Sequence, residues 1–288
     1  IAARDGTRLA AWRWAPEGSC RGCVVIVHGF SEHGRRYEHV ARALTRDGWA
    51  VLALDQRGHG RSPGARGVLR AFPTLVADVG SAVEVARDEL AGGGPVVLLA
   101  HSLGGLVGLR AVQSGEASVD ALILSAPWLG AVKGVSRFER QAIAWLARLA
   151  PTLSIPRPMS TDALVADAEM AADRRSDPLV HSRISAGLIV EVERAQARAR
   201  AASVPPDLSV LVIIPGDDRL LDHHELREWI ARQTDARIEV QEWAGRRHEP
   251  LNDLGREELI EHLVEWLDRH APVGNTALEP GEIKRVSP

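Results

Sequence analysis

Cysteine is nearly absent from this chain. Among 288 residues there are two, Cys20 and Cys23, in Cys20-Arg21-Gly22-Cys23. A metal site needs a second ligand pair nearby, and a redox pair opens a helix after a strand. Neither context surrounds these cysteines, so they read as small apolar fillers near the start of a strand. Charge of one sign is also lacking: the formal net charge is -3. That balance carries no nucleic-acid footprint. No apolar run approaches the roughly 20 residues that a membrane-crossing helix needs. Aromatics make up only 4% of the chain, too few for composition alone to speak for or against membrane association. The chain opens on Ile1, which leaves an upstream signal peptide open, and a cytoplasmic location is the expectation.

Hydrophobic residues make up 45% and charged residues 25%, an ordinary globular balance that supports a sizeable core. Short aliphatic runs recur at Val24–His28, Trp49–Leu54, Val96–Ala100, Ala121–Ser125 and Val210–Ile214. Unbroken apolar runs of this length read as strands buried on both faces of a parallel sheet. Amphipathic stretches lie between them, including Tyr37–Asp47 closed by Gly48 and Leu75–Leu90 closed by Gly92 to Gly94. The alternation is βαβ, so the expected fold is α/β, a mostly parallel sheet flanked by helices on both sides. Gly6–Ala15 reads as an antiparallel addition, Arg237–Trp243 as the last strand and Arg256–Arg269 as the last helix.

The rhythm breaks between Trp128 and Pro206. That stretch shows no clear strand, only helix-like pieces at Ser136–Leu149, Asp162–Asp173 and Ser185–Ala202, separated by prolines. The expected organisation is a core of residues 1–127 and 207–270, a helical cap inserted at 128–206, and a tail at 271–288 that adds nothing to the core.

The strongest chemical signal is Ala100-His101-Ser102-Leu103-Gly104-Gly105. It follows one expected strand and opens the helical stretch Leu103–Gln113. This approximates the G-x-S-x-G elbow, with Ala100 in place of the first glycine. Small residues flank the serine because the sharp turn brings strand and helix backbones together. A serine hydroxyl needs a base, and the base needs an orienting carboxylate. In the fold that carries this elbow the chain order is serine, acid, histidine. The run Val210–Ile214 ends in Pro215-Gly216-Asp217-Asp218-Arg219, on the edge where such sheets place their sites. Asp217 and Asp218 are near-equal candidates on chemistry alone, because successive side chains point apart. Asp222, with Glu225 three residues on, looks like a helix N-cap. His248, between the last expected strand and helix, is the candidate base. His223 and His224 read as a helix start, and His262 and His270 as helix surface. The oxyanion donors should be the backbone N–H groups of Leu103 and of Phe30, in the loop after Val24–Val27, where Gly29 lets the backbone come close. Asp55 and Arg57, in Asp55-Gln56-Arg57-Gly58-His59-Gly60-Arg61-Ser62, read as architecture and as an internal ion pair.

His28-Gly29-Phe30-Ser31-Glu32-His33, the Asp55–Ser62 segment, His101-Ser102-Leu103-Gly104-Gly105 and Ser176-Asp177-Pro178-Leu179-Val180-His181 together resemble the monoacylglycerol lipase and lysophospholipase-like family of α/β-hydrolases. The resemblance runs from about Gly6 to Arg269. It places the acid at Asp218, in Asp218-Arg219-Leu220-Leu221-Asp222, and the base at His248. It implies ester hydrolysis through an acyl-enzyme on a small-molecule lipid or ester, with no metal or cofactor. Transient contact with a membrane surface is an expectation that rests on the apolar residues of the cap, with no basic amphipathic stretch beside them. Rival readings on the same triad are a short-chain carboxylesterase, an acyltransferase or a peptidase. A catalytically silent binding protein is the rival of a different kind, although all three triad members are present. Dehalogenases and epoxide hydrolases of this fold are disfavoured, because they carry Asp at the elbow.

Overall fold

The computed structural model describes residues 1–271, apart from the side chain of Arg137. The expectation for residues 272–288 lies outside the described residues. Ala271, at the tail's first position, is buried against the core, contrary to expectation.

The elements in chain order are β1 (Ala11–Trp14), β2 (Gly22–Val27), α1 (Glu38–Arg46), β3 (Trp49–Leu54), α2 (Phe72–Val85), β4 (Val96–His101), α3 (Ser102–Gln113) and β5 (Ala121–Ser125). They continue with α4 (Arg137–Leu149), β6 (Ser154–Pro156), α5 (Thr161–Leu164), α6 (Ala168–Ser176), β7 (Arg183–Ser185) and α7 (Ala186–Ala201). The last four are β8 (Ser209–Pro215), α8 (His224–Ala231), β9 (Arg237–Trp243) and α9 (Arg256–His270).

Seven strands form one sheet in the order β1-β3-β2-β4-β5-β8-β9. All neighbours are parallel except the β1–β3 pair. The sheet's two faces follow from the period of two along each strand. Val25 and Val27 of β2 join the core under α2, α3 and α8. Val24 and Ile26 join the opposite core under α1 and α9, which holds Tyr37, Trp49 and Trp266. Both faces are covered, so the central strands need no polar side, and their sequences are unbroken apolar runs.

Between β5 and β8 the chain leaves the sheet and builds α4 to α7. The amphipathic helix α7 packs Leu188, Val192, Ala195 and Ala199 onto the core beside α3. The α4 N-terminus is closed by a capping box, Ser136 with Glu139. Two expectations are corrected here. The single helix at 162–173 is two, because Asp167 accepts the N–H groups of Glu169 and Met170 and starts a new helix. The stretch is also not free of strands: β6 pairs antiparallel with β7. This ribbon is bound to the core, where the Ser185 N–H donates to the Gly67 carbonyl and Ser154 Oγ to that of Arg66.

Candidate active site

The parallel strands all end on one edge, and the expected site residues gather there. Ser102 stands between β4 and α3 with φ of +51°, a left-handed conformation that non-glycine residues rarely hold. The strain lifts the hydroxyl clear of the sheet at the N-terminus of α3. Space for this turn comes from its neighbours. A Cβ on Gly104 would run into the carbonyl oxygens of Val27 and His28, and one on Gly105 would lie 2.9 Å from Pro127 Cα. Ala100, the departure from the usual glycine, packs against Gly108, where a Cβ would be only 2.9 Å from the Ala100 methyl. The missing side chain at Gly108 accommodates the extra one at Ala100.

His248 Nε2 lies 2.8 Å from Ser102 Oγ, and His248 Nδ1 lies 2.8 Å from Asp218 Oδ2. All three side chains are buried. Asp218 Oδ1 accepts the backbone N–H groups of Leu220 and Leu221 at 2.8 and 2.9 Å. Burial alone would raise the Asp218 pKa. The charge of His248 and the N–H groups of His223, His248 and Leu221 outweigh it and hold the carboxyl well below the usual range. Asp217 faces outward instead and pairs with Arg219 at 2.9 Å. Asp222 accepts the N–H of His224 at 2.9 Å, next to the α8 N-cap, which is His223. His262 and His270 lie on α9, where they meet Gln241 and the Trp266 carbonyl.

The loop after β2 is tightly held. Gln56 N–H donates to His28 Nε2 at 3.0 Å, and His28 Nδ1 donates to the Gly29 carbonyl at 2.7 Å. That pattern fixes a neutral ring, and burial pushes its pKa down to about 4. Gly29 donates its N–H to Glu32 Oε1 at 2.6 Å, and the Tyr37 hydroxyl donates to the same oxygen at 3.0 Å. Gly29 packs so close that a Cβ there would be 3.2 Å from Ser102 Cβ. Phe30 follows, its ring edge-on to His59 and His181.

Asp55 and Arg57 do not pair, contrary to the sequence expectation. Asp55 is fully buried and accepts three N–H groups, from Gly34 at 2.8 Å, Arg61 at 2.9 Å and Trp12 Nε1 at 3.1 Å. Those donors tie β1 and two loops to Asp55 and leave it no room for a cation. Arg57 points away, to Asp78 at 2.6 Å and Asp5 at 2.9 Å.

Two features escaped the sequence reading. His223, expected only to start a helix, also places Nε2 2.7 Å from Asp218 Oδ2. The second is a buried ion cluster beside His248. Glu249, next to His248, meets Arg36 at 2.8 Å and Arg174 of α6 at 3.1 Å, and Arg36 lies 3.5 Å from Glu32. Burial would raise the Glu249 carboxyl, but the two arginines bring it down to about 2. Arg174 also donates to Ser31 Oγ at 3.3 Å.

A cavity of about 680 Å³ opens onto Ser102 and His248. Phe30, Trp128, Val132, Ile143, Val192 and Leu220 give it an apolar lining. Lys133, Arg140, Arg157 and Arg200 also line it. Among the described residues, no group of three or more His, Cys, Asp or Glu could hold a metal ion. No helix among them is long and apolar enough to cross a membrane.

A parallel sheet with a strained serine elbow, and an imidazole and a carboxylate in line behind it, define a serine hydrolase of the α/β-hydrolase fold. Residues 18–255 match the family described as serine aminopeptidase, S33, and the chain belongs to that family. It is 32% identical to a monoacylglycerol lipase of Mycolicibacterium smegmatis, over 92% of this chain and 94% of that one. It is 28% identical to the phospholipase YtpA of Bacillus subtilis, over 90% of this chain and 99% of that one. The crystal structure of Paleococcus ferrophilus monoacylglycerol lipase superposes with a TM-score of 0.81 at 28% identity, covering 91% of this chain and 99% of that one. The chain is thus an ester-hydrolase-like enzyme similar to monoacylglycerol lipases.

Proposed function

We propose that this enzyme hydrolyses monoacyl esters through an acyl-enzyme formed on Ser102. The observation that carries the reading is the unbroken line from Ser102 Oγ to His248 Nε2, and from His248 Nδ1 to Asp218, with 2.8 Å at each link. Ser102 Oγ attacks the ester carbonyl while His248 Nε2 takes its proton. Asp218 holds the imidazole in the tautomer that can accept it and stabilises the charge that forms. The tetrahedral oxyanion is held by two backbone N–H groups. Leu103 supplies one, since the first N–H groups of a helix have no acceptor within it. Phe30 supplies the other, because the Gly29 N–H is already taken by Glu32. His248 then protonates the leaving alcohol, and water repeats the cycle on the acyl-enzyme.

Residues 128–206 act as a cap over a core of residues 1–127 and 207–270. The apolar cavity beneath the cap suits an acyl chain. The outer face of α4 exposes Phe138 at 79%, Trp145 at 63% and Leu149 at 81%. Apolar side chains this exposed fit transient contact with a lipid surface, where substrate resides.

The test is an ester panel from acetyl to oleoyl, with glycerol and lysophosphatidyl headgroups and an aminoacyl anilide to probe peptidase action. Ser102→Ala serves as control. Medium or long monoacyl esters should be cleaved best, and Ser102→Ala should fall to background and lose labelling by a fluorophosphonate. A Ser102→Ala protein with wild-type turnover would remove the nucleophile. Preference for the anilide would make the enzyme a peptidase.

A further inference from the structure

We infer that His223 is a positioning residue for the proposed triad, a second imidazole donor that fixes Asp218 and moderates its hold on His248. The inference rests on the reading of Asp218 as the triad acid. Its ground is a doubly used oxygen: Asp218 Oδ2 receives His248 Nδ1 at 2.8 Å and His223 Nε2 at 2.7 Å. Both rings are buried. The other oxygen accepts the N–H groups of Leu220 and Leu221. Four donors therefore fill the acceptor positions of a single carboxylate.

The two sides of that carboxylate are held differently. The donors on Oδ1 come from the same turn as Asp218 and move with it. His223 is the N-cap of α8 and ties Oδ2 to an element that packs Leu226 and Trp229 into the core. Rotation of the carboxylate away from His248 would break the His223 bond, so this ring keeps Oδ2 in register with the catalytic imidazole.

Two donors on one oxygen compete for the same negative charge, so each is held less strongly than it would be alone. With His223 in place, Asp218 pulls less on a proton carried by His248. The other charged or titratable groups about the pair are engaged elsewhere. Lys133 reaches the Asp218 backbone carbonyl at 2.5 Å, not its carboxylate. Asp222 is engaged by the His224 N–H. His101, at the end of β4, lies tilted with its ring 5.1 Å from that of His248, and its Nδ1 donates to the Ser125 carbonyl at 3.0 Å. Glu249 is bound by Arg36 and Arg174. None of these touches Asp218 Oδ2, so the balance on that oxygen is set by the two rings.

The experiment compares wild type, His223→Leu and His223→Gln on a water-soluble ester from about pH 5 to pH 9, with melting curves for each. Glutamine places an N–H near the position of the histidine Nε2 but does not titrate. For His223→Leu, kcat is expected to fall roughly tenfold with KM nearly unchanged, because the lost bond positions the base and does not bind substrate. The acid limb of kcat/KM should move up by about half a pH unit, as Asp218 turns its full charge on His248. His223→Gln should restore both. If the leucine variant does not fold, His223→Phe, which fills the ring's volume, takes its place. With an active wild type, two results would overturn the inference: a folded His223→Leu with wild-type kcat and an unmoved acid limb, or a His223→Gln as impaired as the leucine variant while melting like wild type. A wild-type protein that neither cleaves ester nor takes up a fluorophosphonate fails at the triad itself and takes this inference with it. A labelled wild type with an unchanged His223→Leu sinks this inference alone.

Discussion

Asp217 and Asp218 are neighbours, yet their surroundings differ more than those of most distant pairs. The Asp217 side chain is 46% exposed beside Arg219, while that of Asp218 is 2% exposed and carries four N–H donors. Chemistry read along the chain narrowed the acid to these two and no further, since the choice depends on which way one side chain turns. The difference is measurable. Asp218→Asn should lower kcat by about 10³- to 10⁴-fold, because an amide favours the wrong tautomer of the base. Asp217→Asn should leave kcat within about twofold, since an exposed pair contributes little. Steady-state kinetics on a soluble ester checks both, and a severe loss in Asp217→Asn would reverse the assignment. That Ser102 and His248 meet was legible because each stands between a strand and a helix that the pattern of runs marks out. His223 was not, because a histidine opening a helix gives no sign of the direction its ring takes. Nor could Gly108 be seen as the partner of Ala100, since the match depends on helix facing strand.

At the level of elements, legibility followed period and length. The central strands are unbroken β-branched and aliphatic runs, and their ends fell within two residues of expectation. The ribbon of β6 and β7 was invisible because its strands have three residues each, one of them Pro156, too few to show a period. The ion pair between Arg174 of α6 and Glu249 was equally invisible. Its members are 75 positions apart and look like ordinary surface charges in sequence. In the fold that pair fastens α6 to the loop of His248 and to Ser31, which follows Phe30 and has φ of +68°. Arg174→Met should therefore disturb both stability and turnover. Glu249 keeps Arg36, so the loss should be about 1–3 kcal/mol, not that of a fully orphaned charge. Melting should fall by roughly 3–10 °C, and kcat should drop as the loop that carries the proposed oxyanion donor loosens. Arg174→Lys should recover part of this, because a single ammonium cannot serve Glu249 and Ser31 together. Calorimetry beside kinetics makes the comparison. An Arg174→Met protein with unaltered melting and kcat would show that α6 needs no such anchor.

Over the whole molecule the sequence disclosed a layered α/β fold but not how much of its histidine lies inside. Burial holds His28 and His101 down to about 4, with the neighbouring His248 adding to the effect on His101. Burial and then Arg66 hold His181 to about 4, and His59 is held well below its ordinary range by burial. These rings are exposed to water in the unfolded chain and take up protons as pH falls below their ordinary 6.5. In the folded protein the first three refuse them until about pH 4. Between those limits the unfolded state binds more protons, so stability must decline as pH drops. Carboxylates enter later. The Glu249 carboxyl is lowered from 4.5 to about 2, so its contribution is complete above about pH 4.5 and is lost as pH falls toward 2. The melting temperature should therefore begin to fall near pH 6.5, before any carboxylate titrates, and keep falling through the carboxylate range. His181 offers a direct check, since its Nε2 is buried without a hydrogen-bond partner among the described residues. His181→Gln, which cannot take a proton, should make the decline between pH 6.5 and about 4 shallower by that ring's share, since His28, His59 and His101 remain, while leaving the lower part in place. Melting curves at half-unit pH steps decide the matter: a flat melting temperature from pH 7 to about 4.5 in the wild type would mean that these rings protonate without resisting the fold.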